Sequence, residues 1–141
     1  MQLVTEPANG TSTGTVDPKL GTQVGRGECT DWALYKRPDL EGTVSGNAQE
    51  WAAQARSAGR PMSKTPTERA VMVLRGGVMG AGATTGHVAY VERVQRDANG
   101  NPTSFEVSEQ NWNSIRTSTL RTIEVSDMPA SRDGVDFILL G

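Results

Sequence analysis

The sequence contains one cysteine and one histidine among its 141 residues. A zinc site of the usual cysteine and histidine kind therefore cannot form without recruiting carboxylates. A single cysteine also excludes an internal disulfide, and it leaves the redox compartment open because a free thiol is compatible with either environment. The chain has no internal repeat and no phosphate-binding glycine motif of the Walker or dinucleotide type.

Aromatic residues make up only 5% of the chain and hydrophobic residues 35%, so the core must be small. The length fits one domain, since a domain takes roughly 100–200 residues. A net charge of −2 and a pI near 5.4 argue against nucleic acid as a partner, because phosphate binding needs a basic surface. No apolar run approaches the roughly 20 residues of a membrane span. We expect a monomer.

Residues 1–24 are rich in threonine, glycine, asparagine and proline, which predicts an irregular extension before one domain at 25–141. The extension has neither the basic nor the apolar region of an export signal. Three origins remain open: a protein released when its cell lyses, a protein whose signal has been removed, and a fragment of a longer chain.

Two helices are predicted next. The stretch CTDWALYKR predicts a helix that starts near Cys29 and stops at Pro38, with polar residues early and basic residues late. A second helix is predicted within NAQEWAAQARSAG, and Gly59 is its natural end. Its apolar positions follow helical spacing: Ala48, Trp51, Ala52 and Ala55.

The remainder of the chain predicts strands. Short apolar or alternating runs, separated by turn signals such as DANGNP, lie at residues 70–74, 87–94, 103–110, 119–125 and 136–140. Helices followed by a strand meander are typical of an α+β domain.

Cys29 and His87 are the candidate nucleophile and base. A thiol must become a thiolate to attack, and the start of a helix favours that negative charge. His87 opens a strand after Gly86, where its side chain can face a cleft at the rim of the sheet. A lone cysteine or histidine is also commonly structural, so position alone leaves both interpretations open.

A histidine base needs a partner for its second ring nitrogen. If the hairpin turn centres on Asn99–Gly100, His87 lies opposite Trp112, and one extra residue in the loop places it opposite Asn111 instead. Strand alternation places Glu109 and Asn111 on one face, so either an amide or a carboxylate can reach the imidazole. The sequence does not decide the register.

Four segments in order, GECTDWA, GNAQEWAAQARSAG, TTGHVAYVERV and VSEQNWN, resemble the CHAP family (cysteine, histidine-dependent amidohydrolases/peptidases). The resemblance runs from about Gly25 to the final strand. It implies a papain-like α+β fold, with N-terminal helices packed on an antiparallel β-sheet.

The resemblance also implies roles for individual residues. Cys29, within G-x-C-T, matches the nucleophile, and His87, within GHVAYV, matches the general base. SEQNWN is similar to an S-E-x-N-W block, so Glu109 and Asn111 match the residues that orient the histidine, and which of them makes the contact stays open. Trp112 matches an aromatic position beside the site, where it either lines the substrate groove or packs in the core.

Two positions depart from the family pattern. The family commonly has glutamine before the nucleophile, whereas this chain has Glu28, whose carboxylate we expect to be solvated. Some relatives bind calcium through acids before the nucleophile and an aspartate two residues after it. Asp31 fits only the last position, and calcium takes roughly six to eight oxygen ligands. We therefore expect no metal or other cofactor, and we expect Asp31 to cap its own helix.

The function implied by the resemblance is hydrolysis of bacterial peptidoglycan through a thioester acyl-enzyme, by a cell-wall endopeptidase or an N-acetylmuramoyl-L-alanine amidase. Such an enzyme acts at the bacterial cell wall, either secreted or as a phage endolysin with antimicrobial action. Two alternatives are a catalytically silent wall-binding module and another papain-like thiol transferase, such as a transglutaminase.

Overall fold

The computed structural model describes residues 17–141, and within that range the chain forms two α-helices and a six-stranded sheet. Helix α1 covers Cys29–Lys36, and helix α2 covers Trp51–Ser57 after a 3₁₀ turn at Ala48–Glu50. In this part of the chain neither helix has the length and apolar character of a membrane span. Residues 1–16, most of the predicted extension, lie outside the described residues.

Helix α1 begins and ends where local chemistry predicts. Glu28 is its extended N-cap residue, and the carboxylate of Asp31 accepts a hydrogen bond from the Glu28 N–H at 3.1 Å. This bond satisfies one of the amide groups that a helix start leaves without an intrahelical partner. Arg37 leaves the helical conformation directly before Pro38, because the proline ring disfavours a helical residue in front of it.

Helix α2 and the 3₁₀ turn before it present the predicted apolar stripe to the core. The members of that stripe are all buried: Ala48, Trp51, Ala52 and Ala55. The helix ends at Ser57, and Gly59 just beyond it has a φ of +80°, a conformation that glycine adopts without steric cost. The sequence prediction of this helix is therefore confirmed.

The six strands are all antiparallel to their neighbours, in the order β1-β6-β2-β3-β4-β5. Their bounds are β1 Met62–Ser63, β2 Val71–Leu74, β3 His87–Arg96, β4 Pro102–Glu109, β5 Thr119–Glu124 and β6 Val135–Ile138. Strands β2 to β5 form the predicted meander. The sequence did not predict β1, nor the return of β6 to a place between β1 and β2.

Both faces of the sheet are covered, which is why β2 is buried at every position. On one face the helices pack on apolar side chains that include Val71, Val73, Val88 and Ile138. The other face carries a second cluster that includes Met72, Leu74, Val91, Phe105 and Phe137. The predicted α+β architecture, with helices packed on an antiparallel sheet, is confirmed.

The β3–β4 hairpin changes register along its length. Arg93 pairs with Glu106, whereas Val91 pairs with Val107, so a bulge between these pairs shifts the register by one residue. At the strand ends near His87 the pairing therefore follows the register with the extra residue. A second irregularity lies between Gln95 and Arg96, so the register with the extra residue also holds beside the turn, and the other register holds only between the two irregularities.

Candidate active site

Cys29 is the first residue of α1, and it lies partly exposed on the wall of a cavity. The turn before it includes Gly27, whose φ is +79°. A Cβ at this position would lie 2.9 Å from the backbone oxygen of Arg116, so the close approach of the two segments requires glycine. Cys29 thus lies at the positive end of the α1 dipole.

His87 opens β3 and has a side chain that is 3% exposed. Burial acts to lower the pKa of this imidazole, but hydrogen bonds and charge interactions with Cys29 and Glu109 outweigh it. The net result raises the pKa of His87 above its ordinary value of 6.5, which favours an imidazolium beside the thiol.

The backbone before His87 depends on glycine. Gly86 has a φ of +72°, and a Cβ there would lie 2.4 Å from the carbonyl oxygen of Leu74 and 2.6 Å from Cβ of Gln49. The Gln49 side chain also holds this loop, because its Nε2 donates to the carbonyl of Thr84 at 2.8 Å. The start of β3 is therefore packed tightly against its neighbours.

Glu109, the last residue of β4, is the partner of the imidazole. Its Oε1 lies 2.8 Å from Nε2 of His87, and its side chain is completely buried. Since an ionised carboxylate only accepts hydrogen bonds, Nε2 carries the proton, and Nδ1 is the ring nitrogen available to Cys29.

Arg121 on β5 binds the same carboxylate. Its Nε donates to Oε2 of Glu109 at 2.6 Å, and its Nη2 donates to Oε1 at 3.0 Å. Burial acts to raise the pKa of Glu109, but hydrogen bonds from His87 and Arg121 outweigh it, so the net effect lowers this pKa. Glu109 is therefore held as an anion behind the histidine.

Arg121 did not emerge from the sequence. It lies opposite Val107 in the β4–β5 pairing, which makes it a diagonal neighbour of Glu109. Residues 110–118 between the two strands are irregular, with no turn signal that sets the pairing. An arginine in TLRTIEV is consequently indistinguishable, in sequence alone, from an ordinary surface residue.

Asn111 lies beyond the end of β4 and does not continue its alternation. It has a φ of +57°, and its side-chain Nδ2 donates to Oε1 of Glu28 at 3.3 Å. The expectation that Asn111 shares the strand face of Glu109 is therefore wrong, because the chain turns at this point. Of the two residues considered, Glu109 is the one that contacts Nε2 of His87.

Trp112 is half-buried beside the imidazole and lines the cavity. The centres of the Trp112 and His87 rings are 4.8 Å apart, and the guanidinium carbon of Arg121 lies 3.9 Å from the centre of the Trp112 ring. The indole thus packs on the site and also faces the cavity, so the two interpretations of this residue do not exclude each other.

Glu28 is 45% exposed in its side chain, and its carboxylate contacts two other side chains besides the backbone of Asp31 in the capping box. Its Oε2 forms an ion pair with Nη1 of Arg116 at 3.0 Å, and its Oε1 accepts the bond from Asn111. The carboxylate next to the candidate nucleophile is therefore both solvated and compensated by a cation.

A cavity of about 590 Å³ opens in front of these side chains. Its lining is largely polar or glycine, and it includes Glu28, Cys29, Asn47, Gly82, His87 and Trp112. A groove of this kind suits a substrate that carries many hydrogen-bonding groups.

Within residues 17–141 no group of three or more histidine, cysteine, aspartate or glutamate side chains is arranged to hold a metal ion. Asp31, the one residue that matches a calcium position, accepts hydrogen bonds from the N–H groups of Arg26 and Glu28 at 2.9 and 3.1 Å. Through these bonds the Asp31 carboxylate stabilises the turn that precedes α1.

Comparison with known proteins gives a family and several relatives. The CHAP domain model matches residues 19–111, more than half of the chain. An N-acetylmuramoyl-L-alanine amidase domain-containing protein of Staphylococcus aureus is 35% identical over 71% of this chain, and the secretory antigen SsaA of Staphylococcus epidermidis is 32% identical over 84%. The chain spans 16% and 42% of the length of these two relatives.

Solved structures share the fold. The crystal structure of an N-acetylmuramoyl-L-alanine amidase from Staphylococcus aureus aligns with a TM-score of 0.63 at 31% identity, over 79% of this chain and 30% of that chain. Ly7917 aligns with a TM-score of 0.61 at 24% identity, over 85% of this chain and 56% of that chain, which supports the fold alone. On the family match and the shared fold, the chain belongs to the CHAP domain family.

Proposed function

We propose that this chain is a peptidoglycan hydrolase that cleaves an amide bond through Cys29. The observation that carries the proposal is the linked series Cys29–His87–Glu109, in which Cys29 and His87 line an open polar cavity and Glu109 is buried behind the imidazole. A thiol, an imidazole and a buried carboxylate in this order are the components of nucleophilic acyl transfer.

In the proposed reaction the Cys29 thiolate forms a bond to the carbonyl carbon, and the carbonyl π electrons move to oxygen. Backbone N–H groups at the start of α1 stabilise this oxyanion. The intermediate collapses as the carbon–nitrogen bond breaks, and imidazolium of His87 protonates the leaving amine. Water, deprotonated by the now neutral imidazole, then attacks the thioester and releases the acid and the thiolate.

Two observations support this choice of substrate. The cavity is lined by amides, hydroxyls and backbone, which matches a glycan with short peptides attached. Relatives with 31% and 35% identity are named as N-acetylmuramoyl-L-alanine amidases or proteins with that domain, which favours the amide between the sugar and the peptide stem. Cleavage within the stem or cross-bridge needs the same chemistry and makes the endopeptidase the second candidate.

The place of action that we propose is the bacterial cell wall. Relatives at 32% and 37% identity are staphylococcal secretory antigens, a name that describes proteins outside the cell. Both a secreted wall enzyme and a phage endolysin work there.

Turbidity loss of purified peptidoglycan tests the proposal, with the wild-type chain and Cys29→Ala compared side by side. We expect the wild type to clear the suspension and the variant to leave it turbid. Mass spectrometry of the fragments then distinguishes a peptide stem freed from its sugar, expected for an amidase, from a cut peptide bond. Equal clearing by both proteins would exclude Cys29 as the nucleophile.

A wild type that binds the wall without clearing it would support the catalytically silent wall-binding module. Glu28 is the one sequence feature that favours this alternative. Incorporation of an added amine into protein glutamines would support a transglutaminase instead. Both outcomes contradict the proposed hydrolase.

A further inference from the structure

Gln110 is a completely buried polar residue that follows Glu109 and uses both polar atoms of its side chain. Its Oε1 accepts a hydrogen bond from the N–H of Val24 at 2.6 Å. Its Nε2 donates to the carbonyl oxygens of Val24 and Glu28, each at 3.0 Å. The amide therefore joins the end of β4 to the segment that leads into α1.

The bond to Glu28 has a consequence for the candidate nucleophile. The Glu28 carbonyl and the Cys29 N–H belong to one planar peptide unit, in which the two groups point in opposite directions. A donor that holds the carbonyl consequently also sets the direction of the N–H. Because Cys29 is the first residue of α1, this N–H has no intrahelical acceptor and is free to bind a substrate oxygen.

Gln110 also strengthens this donor. A carbonyl that accepts a hydrogen bond polarises its peptide unit, and a polarised peptide donates more strongly through its N–H. The same carbonyl accepts only a long intrahelical bond, 3.4 Å from the N–H of Trp32, which leaves Gln110 as its closer partner.

We propose that Gln110 is a positioning residue that orients the Glu28–Cys29 peptide so that its N–H faces the oxyanion formed at Cys29. Two successive residues, Glu109 at the end of β4 and Gln110 directly after it, then serve the two halves of the site. Glu109 sets the imidazole of His87, and Gln110 sets the peptide of the nucleophile. The inference rests on the proposed acyl-transfer function and assigns a role to the unspecified position within S-E-x-N-W.

A purely structural role is the alternative, because Gln110 also anchors Val24. Ser118 offers a matched control. It is 2% exposed, its Oγ accepts a hydrogen bond from the N–H of Gly21 at 3.0 Å, and it reaches the carbonyl of Thr22 at 3.0 Å. Ser118 thus anchors the same segment, and within residues 17–141 its hydroxyl contacts Lys19, Gly21 and Thr22 rather than the Glu28–Cys29 peptide.

The test compares two reactions of the one thiol. Iodoacetamide alkylates Cys29 by displacement at a saturated carbon, which forms no oxyanion. With p-nitrophenyl acetate, the thiolate adds to the ester carbonyl, an oxyanion forms, and its collapse breaks the carbon–oxygen bond and releases p-nitrophenolate. Cys29→Ala supplies the background rate for both reagents.

We expect Gln110→Met to lower the acylation rate constant by about tenfold or more, since loss of an oxyanion donor costs roughly 100-fold. Its alkylation rate is expected to stay within about twofold of the wild type, and Ser118→Ala is expected to change the ratio of the two rates little. Gln110→Glu, which keeps the shape and the acceptor to Val24, provides a second variant. Circular dichroism and Tm establish that each variant is folded.

Equal slowing of both reactions by the Gln110 variants, no slowing of either, or the same change of ratio in Ser118→Ala would each overturn the inference. The rates of alkylation and acylation of the wild type distinguish a failure of this inference from a failure of the proposed function. A wild type that is alkylated but never acylated overturns the acyl-transfer function and the inference together. A wild type that is acylated as fast as the Gln110 variants overturns the inference alone.

Discussion

Arg121 binds both carboxylate oxygens of Glu109 from the neighbouring strand, at 2.6 and 3.0 Å. The same guanidinium lies over the ring of Trp112. One arginine therefore fixes the residue that contacts the imidazole and an aromatic residue on the wall of the cavity. A bidentate pair of this kind sets orientation as well as charge, which lysine would not reproduce.

Replacing Arg121 by methionine tests this arrangement. Burial raises the pKa of Glu109, and the hydrogen bonds and charge of Arg121 oppose that effect. Without the guanidinium, the pKa of Glu109 therefore rises. We expect the acid limb of the pH profile for alkylation by iodoacetamide to move to higher pH. Arg93→Met is the control, because Arg93 pairs with Glu106 at 3.1 Å in a partly exposed position on the same sheet. Identical profiles for all three proteins would contradict the role of Arg121.

Glu109 and Asn111 are expected to differ sharply in their effects. Glu109→Gln removes the charge that stabilises the imidazolium of His87, and it changes the preferred tautomer of the neutral imidazole. Peptidoglycan clearing should therefore fall by about 100-fold or more. Asn111→Ala removes a bond to Glu28 and should reduce clearing by less than about tenfold. Initial rates on purified peptidoglycan measure both. The assignment fails if Asn111→Ala proves the more damaging of the two.

The stability of the protein should depend on pH through His87 and Glu109. Because the folded-state pKa of His87 is raised, its contribution is fully present below the ordinary value of 6.5 and is lost as the pH rises through the folded-state value. The pKa of Glu109 is lowered, so its contribution is present above 4.5 and is lost as the pH falls through the folded-state value.

Urea unfolding of the wild type and of His87→Gln, from about pH 5 to about pH 9, measures the contribution of His87 to the free energy of unfolding. The glutamine keeps a donor for Glu109 but does not titrate. We expect the advantage of the wild type in free energy of unfolding to be largest at the acid end and to shrink toward the alkaline end. An advantage that grows with pH would show that the histidine pKa is lowered by folding.

Gly86 and Gly100 form a matched pair of left-handed glycines. Gly100 has a φ of +84° with open space around its Cα, so Gly100→Ala should cost about 1–2 kcal/mol for the conformation alone. Gly86→Ala adds a collision with the Leu74 carbonyl, and overpacking adds about 1–3 kcal/mol. Urea unfolding gives both values. Alkylation of Cys29 should also slow in Gly86→Ala only, because the collision displaces His87.

Features that depend on short stretches of chain could be predicted from the sequence. The limits of α1 follow from Asp31 and Pro38, and the buried stripe of α2 follows from the spacing of its alanines and Trp51. The α+β class follows from the order of helical and alternating patterns. Each of these signals lies within about four residues of the structure that it determines.

Features that depend on how distant segments pack could not be predicted. Two irregularities in the β3–β4 hairpin, near Arg93 and near Arg96, together set the register that brings Glu109 to His87, and the turn sequence does not specify them. The return of β6 beside β2 was missed for the same reason, because strand order depends on which edges remain to be covered.

The sequence by itself determined the chemistry available to this protein: one thiol at a helix start, one imidazole at a strand start, and a choice between Glu109 and Asn111. The tertiary structure decided that Glu109 contacts the imidazole, that Arg121 holds Glu109, and that Gln110 reaches the peptide before the thiol. The physical reason is that side-chain type and local backbone preference are properties of a few neighbouring residues. Hydrogen bonds across irregular segments depend instead on a register that only the packed sheet establishes.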